Sequence, residues 1–226
     1  MENASKALIM AGGILIALLV LGALLLMFNE LSAYQRSNSD IENVSQLTEF
    51  NYQFTQYARR DLSGVDIISL SNKVVDYNSR IGGYGEINYD EKITITITIT
   101  SNFETKFGDT LEKFHIGTYT ITDTTSGFYR ICREFRKYEE KYTLDALSLL
   151  VSNYSGLEDG TVTVEEILGE SFQSWEGKDL SHSEMLQVIK EYSEFSLLKT
   201  STFTIDGEPE YYEDGQIKSM NFQYLK

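Results

Sequence analysis

The sequence predicts an α+β fold that starts with a transmembrane helix and a helical stalk and continues as a mostly antiparallel sheet packed with helices. Three observations lead to this prediction. An unbroken apolar run occupies Ala7 to Phe28, isoleucine alternates with threonine from Ile93 to Ile99, and strand-like segments flank a group of amphipathic helices. We therefore expect an anchor at residues 1–28, a stalk at 29–80 and an extracytoplasmic α+β domain at 81–226.

The apolar run meets the length that a membrane-spanning helix needs, about 20 residues. A secretory signal peptide is the alternative, but it requires a basic leader, a shorter apolar core and a small-x-small cleavage site. The leader here is only MENASK, and no clean site of that kind follows Phe28. Lys6 and the terminal amine precede the run while Glu30 follows it, which favours a cytoplasmic N-terminus and an extracytoplasmic C-terminal domain in a single-pass cell-membrane protein.

Small side chains within the run form a candidate helix-packing site at Gly12, Gly13 and Ala17. Gly13 and Ala17 are four residues apart and share one helix face, where small residues allow two membrane helices to approach closely. Gly and Ala are also common in membrane helices that have no packing role. The partners predicted for this segment are the lipid bilayer, further copies of the chain, or pilus and secretion proteins.

Helical spacing continues beyond the apolar run and predicts a stalk. Apolar residues recur mostly every three or four positions, at Leu31, Tyr34, Ile41, Val44, Leu47, Phe50, Phe54 and Tyr57. Residues 37–40, Ser-Asn-Ser-Asp, favour caps and turns, so either one long helix crosses them or a second helix starts there. A further short helix is predicted from Val65 to Tyr77, followed by a Gly- and Asn-rich loop from Asn78 to Tyr89.

Two strands are predicted next. Lys92 to Thr100 has period-two alternation of β-branched residues, which indicates a strand buried on one face. We expect it to be central in its sheet, because such a strand at an exposed edge would aggregate. His115 to Thr122 is its predicted partner, and the intervening Phe103 to Phe114 is ambiguous.

The rest of the chain reads as helices and then strands. Apolar spacing predicts a helix from Phe128 to Tyr142. Helix starts are indicated by Thr143 as an N-cap and by two pairs at capping-box spacing, Thr163 with Glu166 and Ser181 with Glu184. The predicted C-terminal strands are Thr200 to Ile205, Glu210 to Tyr212 and Gln216 to Tyr224, with a hairpin turn at Asp214-Gly215.

Composition excludes several classes of protein. The formal net charge of −15 argues against nucleic acid as a partner, because nucleic-acid binding needs a basic surface. Cys132 is the only cysteine, so no intramolecular disulfide can form. We predict no enzymatic activity, no catalytic residues, no cofactor and no metal site.

The histidines and the cysteine do not form a recognisable metal or catalytic site in the sequence. His115 and His182 have no second histidine or cysteine at metal-binding spacing. Arg130 and Arg133 flank Cys132 and could lower the pKa of its thiol, but a catalytic thiol also needs a histidine base. A packed, unreactive cysteine is therefore the preferred interpretation.

Two acidic segments were weighed as binding sites. Ser155 to Glu166 places Asp159, Gly160 and Glu166 at positions of a calcium loop, but Ser155 and Leu157 occupy two ligand positions that usually carry Asp or Asn. A turn with Gly160 at positive φ before a capped helix is preferred. A second acidic cluster consists of Glu208, Glu210, Glu213 and Asp214; paired carboxylates could serve a glycosidase, and an exposed acidic turn is the commoner arrangement.

Three stretches carry a resemblance to a known group of proteins: the opening ENASKALIMAGGILI, SGVDIISLSNKVVDYN at 63–78, and the ending FTIDGEPEYYEDGQIKSMNF. They resemble poorly characterised, single-pass Gram-positive bacterial proteins associated with pilin-like and tight-adherence pilus loci. The resemblance implies a pilin-like or pilus-accessory role outside the cytoplasm, without enzymatic activity. The chain departs from type IV pilins in lacking a glutamate within the apolar helix and an evident prepilin peptidase site.

Three functions follow from these observations. The first is a pilin-like or pilus-accessory structural subunit that assembles through its N-terminal helix. The alternatives are a membrane-tethered extracytoplasmic binding module for a surface or secretion partner, and an anchored hydrolase that uses acidic residues.

Overall fold

The computed structural model describes residues 2–81, 91–100 and 113–225, and it has the predicted α+β class with an N-terminal apolar helix. The chain divides into two units, Met1–Phe50 and Asn51–Lys226. Residues 82–89 of the predicted loop and residues 103–112 of the ambiguous segment lie outside the described residues. Asn78 to Arg80, assigned to the loop by sequence, are helical.

The described helices and strands include the predicted ones in the predicted order, together with two short elements, at residues 62–63 and 154–158, that were not predicted. The helices are α1 (Glu2–Thr55), α2 (Gly64–Arg80), α3 (Gly127–Lys141), α4 (Leu144–Ser152), α5 (Tyr154–Glu158), α6 (Val164–Leu168) and α7 (His182–Thr200). The strands are β1 (Leu62–Ser63), β2 (Thr94–Ile99), β3 (Gly117–Ile121), β4 (Thr202–Ile205), β5 (Glu210–Tyr211) and β6 (Ile217–Tyr224). Helix α1 includes residues 37–40, where the sequence left a break open.

The strands form one mixed sheet with the order β1-β4-β6-β2-β3. As predicted, β2 is central: it lies between β3, its antiparallel partner, and β6. Strands β2 and β6 are parallel, with Ile95 opposite Met220 and Ile97 opposite Phe222. Strands β4 and β5 pair in turn with the other edge of β6, both antiparallel. The sequence patterns predicted strands β2 to β6, but they predicted neither β1 nor the parallel pair.

One face of the sheet forms the core of the second unit. The four isoleucines from Ile93 to Ile99 are fully buried, and the threonines between them are half-buried, as the alternating pattern requires. Helix α2 contacts β2, β3, β4 and α7, while α3 contacts β3 and α7. The aromatic ring of Phe135 on α3 stacks on that of Phe195 on α7, with ring centres 5.4 Å apart. Burial of this apolar surface provides the main stabilisation of the unit.

Side-chain caps fix where several helices begin. Capping boxes are present at Thr163 with Glu166 and at Ser181 with Glu184, as predicted, and a third joins Ser63 to Asp66 at the start of α2. Each box satisfies backbone N–H groups that have no partner within the helix. Thr143 caps α4 in the predicted way.

The boundary between the two units differs from the predicted end of the stalk. Helix α2, which the sequence analysis placed in the stalk, belongs to the second unit, as do residues 51–55 of α1. Within that unit the Asn51 amide donates to the carbonyl of Gly215 (2.8 Å) and accepts from the backbone N–H of Ile217 (2.9 Å). The buried ring of Phe54 meets the ring of Tyr77 edge-on, with centres 5.9 Å apart.

Candidate functional site

The N-terminal part of α1 is the largest apolar surface that the described residues leave uncovered. Its segment Lys6–Ser32 is long and apolar enough to cross a membrane, with a mean hydropathy of 2.8 and no buried residues. Large side chains such as Ile14, Leu19 and Phe28 are each more than 60 % exposed. A helix that is apolar all round requires an apolar environment, either a bilayer or a protein interior.

The three predicted helix-packing residues all lie in this segment. Gly13 and Ala17 share one face, whereas Gly12 lies about 100° round the helix from Gly13. A Cβ atom added at Gly12 or Gly13 would meet no atom of the described residues within 4 Å. Neither glycine is therefore required by the fold of the described chain.

The apolar residues that recur along the predicted stalk differ in exposure. Leu31, Tyr34, Ile41 and Val44 are exposed, each by more than half of its surface. Phe54 is buried in the second unit, and Tyr57 follows the last residue of α1.

Cys132 is a buried core residue on α3. Burial raises the pKa of its thiol well above the usual value, because a thiolate would be poorly solvated there. The hypothesis that Arg130 and Arg133 lower this pKa is therefore wrong, and the thiol lacks the thiolate character that a nucleophile needs.

The two histidines lie far apart in the sequence and are both exposed. His115 precedes β3, and its Nδ1 lies 3.2 Å from the hydroxyl of Tyr119. His182 is the first residue of α7. Within the described residues, no group of three His, Cys, Asp or Glu side chains is placed to hold a metal ion.

The segment that resembled a calcium loop has a different geometry. Ser155 and Leu157 lie in the short helix α5, and Leu157 is buried. Gly160 has a φ of 71°, as the turn interpretation predicts. The carboxylate of Glu166 accepts from the backbone N–H of Thr163 (2.8 Å) in a capping box. These side chains build a turn and a helix start instead of converging on one point.

The acidic cluster near the C-terminal hairpin is exposed and has local partners. Glu210 accepts a hydrogen bond from the hydroxyl of Ser219 (2.8 Å), and Asp214 accepts one from the backbone N–H of Gln216 (2.9 Å). Gly215 has the positive φ that a hairpin turn requires. The cluster supports the turn between β5 and β6.

A half-buried polar network, which no sequence pattern indicates, joins α3 to α7. The Glu139 carboxylate accepts from the hydroxyl of Tyr192 (2.9 Å) and forms an ion pair with Lys199. The pKa of Tyr192 is raised far above its usual value, mainly by burial and to a smaller extent by the negative charge of Glu139. The tyrosine therefore stays protonated and donates to the carboxylate, so the network holds two helices together.

Comparison with known proteins gives no match. No family model, no curated protein and no solved structure is similar to this chain.

Proposed function

We propose that this chain is a membrane-anchored structural subunit, pilin-like or pilus-accessory, that assembles through its N-terminal helix. The observation that carries the proposal is the uncovered apolar surface of α1 from Lys6 to Ser32. A surface of this size needs lipid or other helices to cover it. The three stretches that resemble pilus-associated proteins also support this function. The missing glutamate in the apolar helix argues against the ordinary type IV pilin assembly route.

In this proposal the helix serves as an anchor and as an assembly surface. The face with Gly13 and Ala17 would let two backbones approach closely, and close packing is what stabilises helix association in lipid. Leu31, Ile41 and Val44 provide exposed apolar side chains beyond the membrane segment. The second unit would then lie outside the cytoplasm, at the membrane or on the cell surface.

The orientation gives a first prediction. We expect a Glu208→Cys variant in a Cys132→Ser background to react with a membrane-impermeant maleimide in intact cells, because Glu208 is exposed in the second unit. A Ser5→Cys variant should react only after lysis, since the charge bias places Lys6 at the cytoplasmic side. The reverse pattern would place the second unit in the cytoplasm and contradict the proposal.

Assembly gives a second prediction. We expect Gly13→Leu to leave the protein in the membrane but to reduce its self-association, because the added bulk holds two backbones apart without lowering the apolar character of the helix. Leu19→Ile is the control, since it changes shape and adds no volume. Chemical crosslinking in membranes followed by size analysis measures the effect. If the wild-type chain is monomeric and captures no partner, a membrane-tethered binding module becomes the better description.

A further inference from the structure

The second unit carries a cationic cleft, although the chain as a whole has a net charge of −15. The cleft has a volume of about 500 Å³ and lies beside the N-terminal half of α3. Among the described residues, Lys113, Arg130, Arg133 and Lys137 line it, together with one acidic residue, Glu134. This volume is within the range of protein pockets that bind small molecules, about 300–1,000 Å³.

Two of these cations have no acidic partner within the described residues. Neither Arg130 nor Arg133 forms an ion pair there, and both are exposed. Lys113 pairs with Glu191 at 3.2 Å, and Arg136 on the same helix lies 4.0 Å from Glu140. Within the part of the chain that the structure describes, the guanidinium groups of Arg130 and Arg133 are therefore the charges available to a ligand.

The arrangement of charge on α3 works against the stability of the helix. Arg133 and Lys137 are four residues apart, a spacing at which like charges repel by a few tenths of a kcal/mol. The first turn of α3 has no acidic residue, and Arg130 lies close to the positive end of the helix dipole. A bound anion would offset both of these unfavourable interactions.

The start of α3 also borders the cleft. The hydroxyl of Ser126, the residue before α3, accepts from the backbone N–H groups of Thr122 and Asp123 and does not cap the helix. Gly127, the first residue of α3, lines the cleft. The unpaired N–H groups and the dipole of a helix N-terminus favour a bound anion.

We propose that the cleft beside α3 binds a phosphate-bearing ligand through Arg130 and Arg133. A guanidinium group forms two parallel hydrogen bonds to a phosphate, which gives both affinity and orientation. The volume of the cleft leaves room for a group larger than the phosphate itself. The proposal is independent of whether the N-terminal helix assembles.

The chain contains its own probe of this site. Trp175 is the only tryptophan in the sequence and it lines the cleft. The ammonium of Lys137 lies 3.4 Å from the centre of the indole ring, a cation–π contact. A phosphate that draws Lys137 or Arg133 toward itself will change the environment of the indole, so tryptophan emission reports binding at this cleft.

The test titrates the full-length chain in neutral maltoside micelles with sodium pyrophosphate, followed by tryptophan emission and by calorimetry. We expect a saturable change that sodium chloride at the same ionic strength does not reproduce. Replacing both arginines, Arg130→Gln with Arg133→Gln, should weaken binding at least about tenfold, because two charged hydrogen-bond donors are lost. The control is Arg60→Gln with Arg80→Gln, which removes the same charge from exposed sites outside the cleft and should leave binding unchanged.

A second arm distinguishes a soluble phosphate from a lipid headgroup. Short-chain phosphatidylglycerol is titrated against short-chain phosphatidylcholine in the same micelles. The proposal is supported by a saturable response to pyrophosphate, or to phosphatidylglycerol alone, that is lost in the Arg130/Arg133 variant. The probe that gives this response identifies the source of the phosphate. The proposal is overturned if neither probe gives a saturable response. It is also overturned if the Arg130/Arg133 variant responds as strongly as the wild type and has an unchanged thermal melt.

Discussion

Replacing Gly64 with alanine is expected to unfold the second unit or to bring it close to unfolding. Gly64 is the first residue of α2, and its N–H donates to the carbonyl of Ser201 (2.9 Å). A Cβ atom at this position would overlap the carbonyl oxygen of Leu198 and lie 2.6 Å from the carbonyl carbon. Because the obstacle is backbone, α2 and the end of α7 must separate.

We expect this substitution to lower the free energy of unfolding by more than about 4 kcal/mol, a large part of the 5–15 kcal/mol typical of a domain. Urea unfolding of the full-length chain in micelles, followed by tryptophan emission, measures it. The matched control is Gly127→Ala at the first position of α3, where an added Cβ meets nothing within 4 Å. Equal unfolding midpoints for the two variants would show that α2 and α7 do not approach as closely as described.

Replacing Asn78 with aspartate is expected to have the second-largest effect. The buried Asn78 amide donates to the carbonyls of Ile93 (2.7 Å) and Thr122 (2.6 Å) and accepts from the N–H of Ile93 (2.9 Å). These three hydrogen bonds join the last turn of α2 to the segments beside β2 and β3. An introduced carboxylate would face two carbonyl oxygens in a buried site, at a cost of about 3–5 kcal/mol at neutral pH.

The pH dependence of this variant has a definite sign. Burial and the two carbonyls raise the pKa of the introduced carboxyl above its unfolded value of about 4. The folded state then binds a proton that the unfolded state has lost, so the variant gains stability relative to wild type as the pH falls from 7 to 5. Asn72→Asp, on a half-buried position of the same helix, is the control. A pH-independent difference from wild type would contradict this account of the Asn78 site.

Much of the fold could be predicted because its signals are local. The alternation from Ile93 to Ile99 indicates both the strand and its buried face. The capping boxes at Thr163 and Ser181 indicate where two helices start. Gly160 and Gly215 marked turns for the same reason, since positive φ is a property of one residue.

The remaining features depend on segments far apart in the chain. The parallel pairing of β2 with β6 joins Thr94 to Ser219, and no local pattern records that register. Helix α2 looked like part of a stalk because its amphipathic pattern does not say which surface will cover it. Asn78 looked like the start of a loop, since its hydrogen-bond partners at residues 93 and 122 are not visible in sequence.

The cationic cleft was missed for a related reason. Arg130, Arg133 and Lys137 are visible as a basic stripe on a predicted helix, and the sequence analysis considered the arginines only as neighbours of Cys132. Lys113 and Trp175 join them only after folding. The helix-packing residues, in contrast, could be proposed from sequence alone because Gly12, Gly13 and Ala17 are small residues within one apolar run.

The central claim is that the Gly13 face of α1 is where chains meet, and disulfide scanning in membranes tests it most directly. Single cysteines are placed along the helix in a Cys132→Ser background and oxidised in isolated membranes. We expect covalent dimers from Gly13, Ala17 and Val20, which share one face, and few from Leu15 and Leu18 on the opposite face. Dimers at none of these positions, or in equal amounts at all of them, would contradict assembly through this helix.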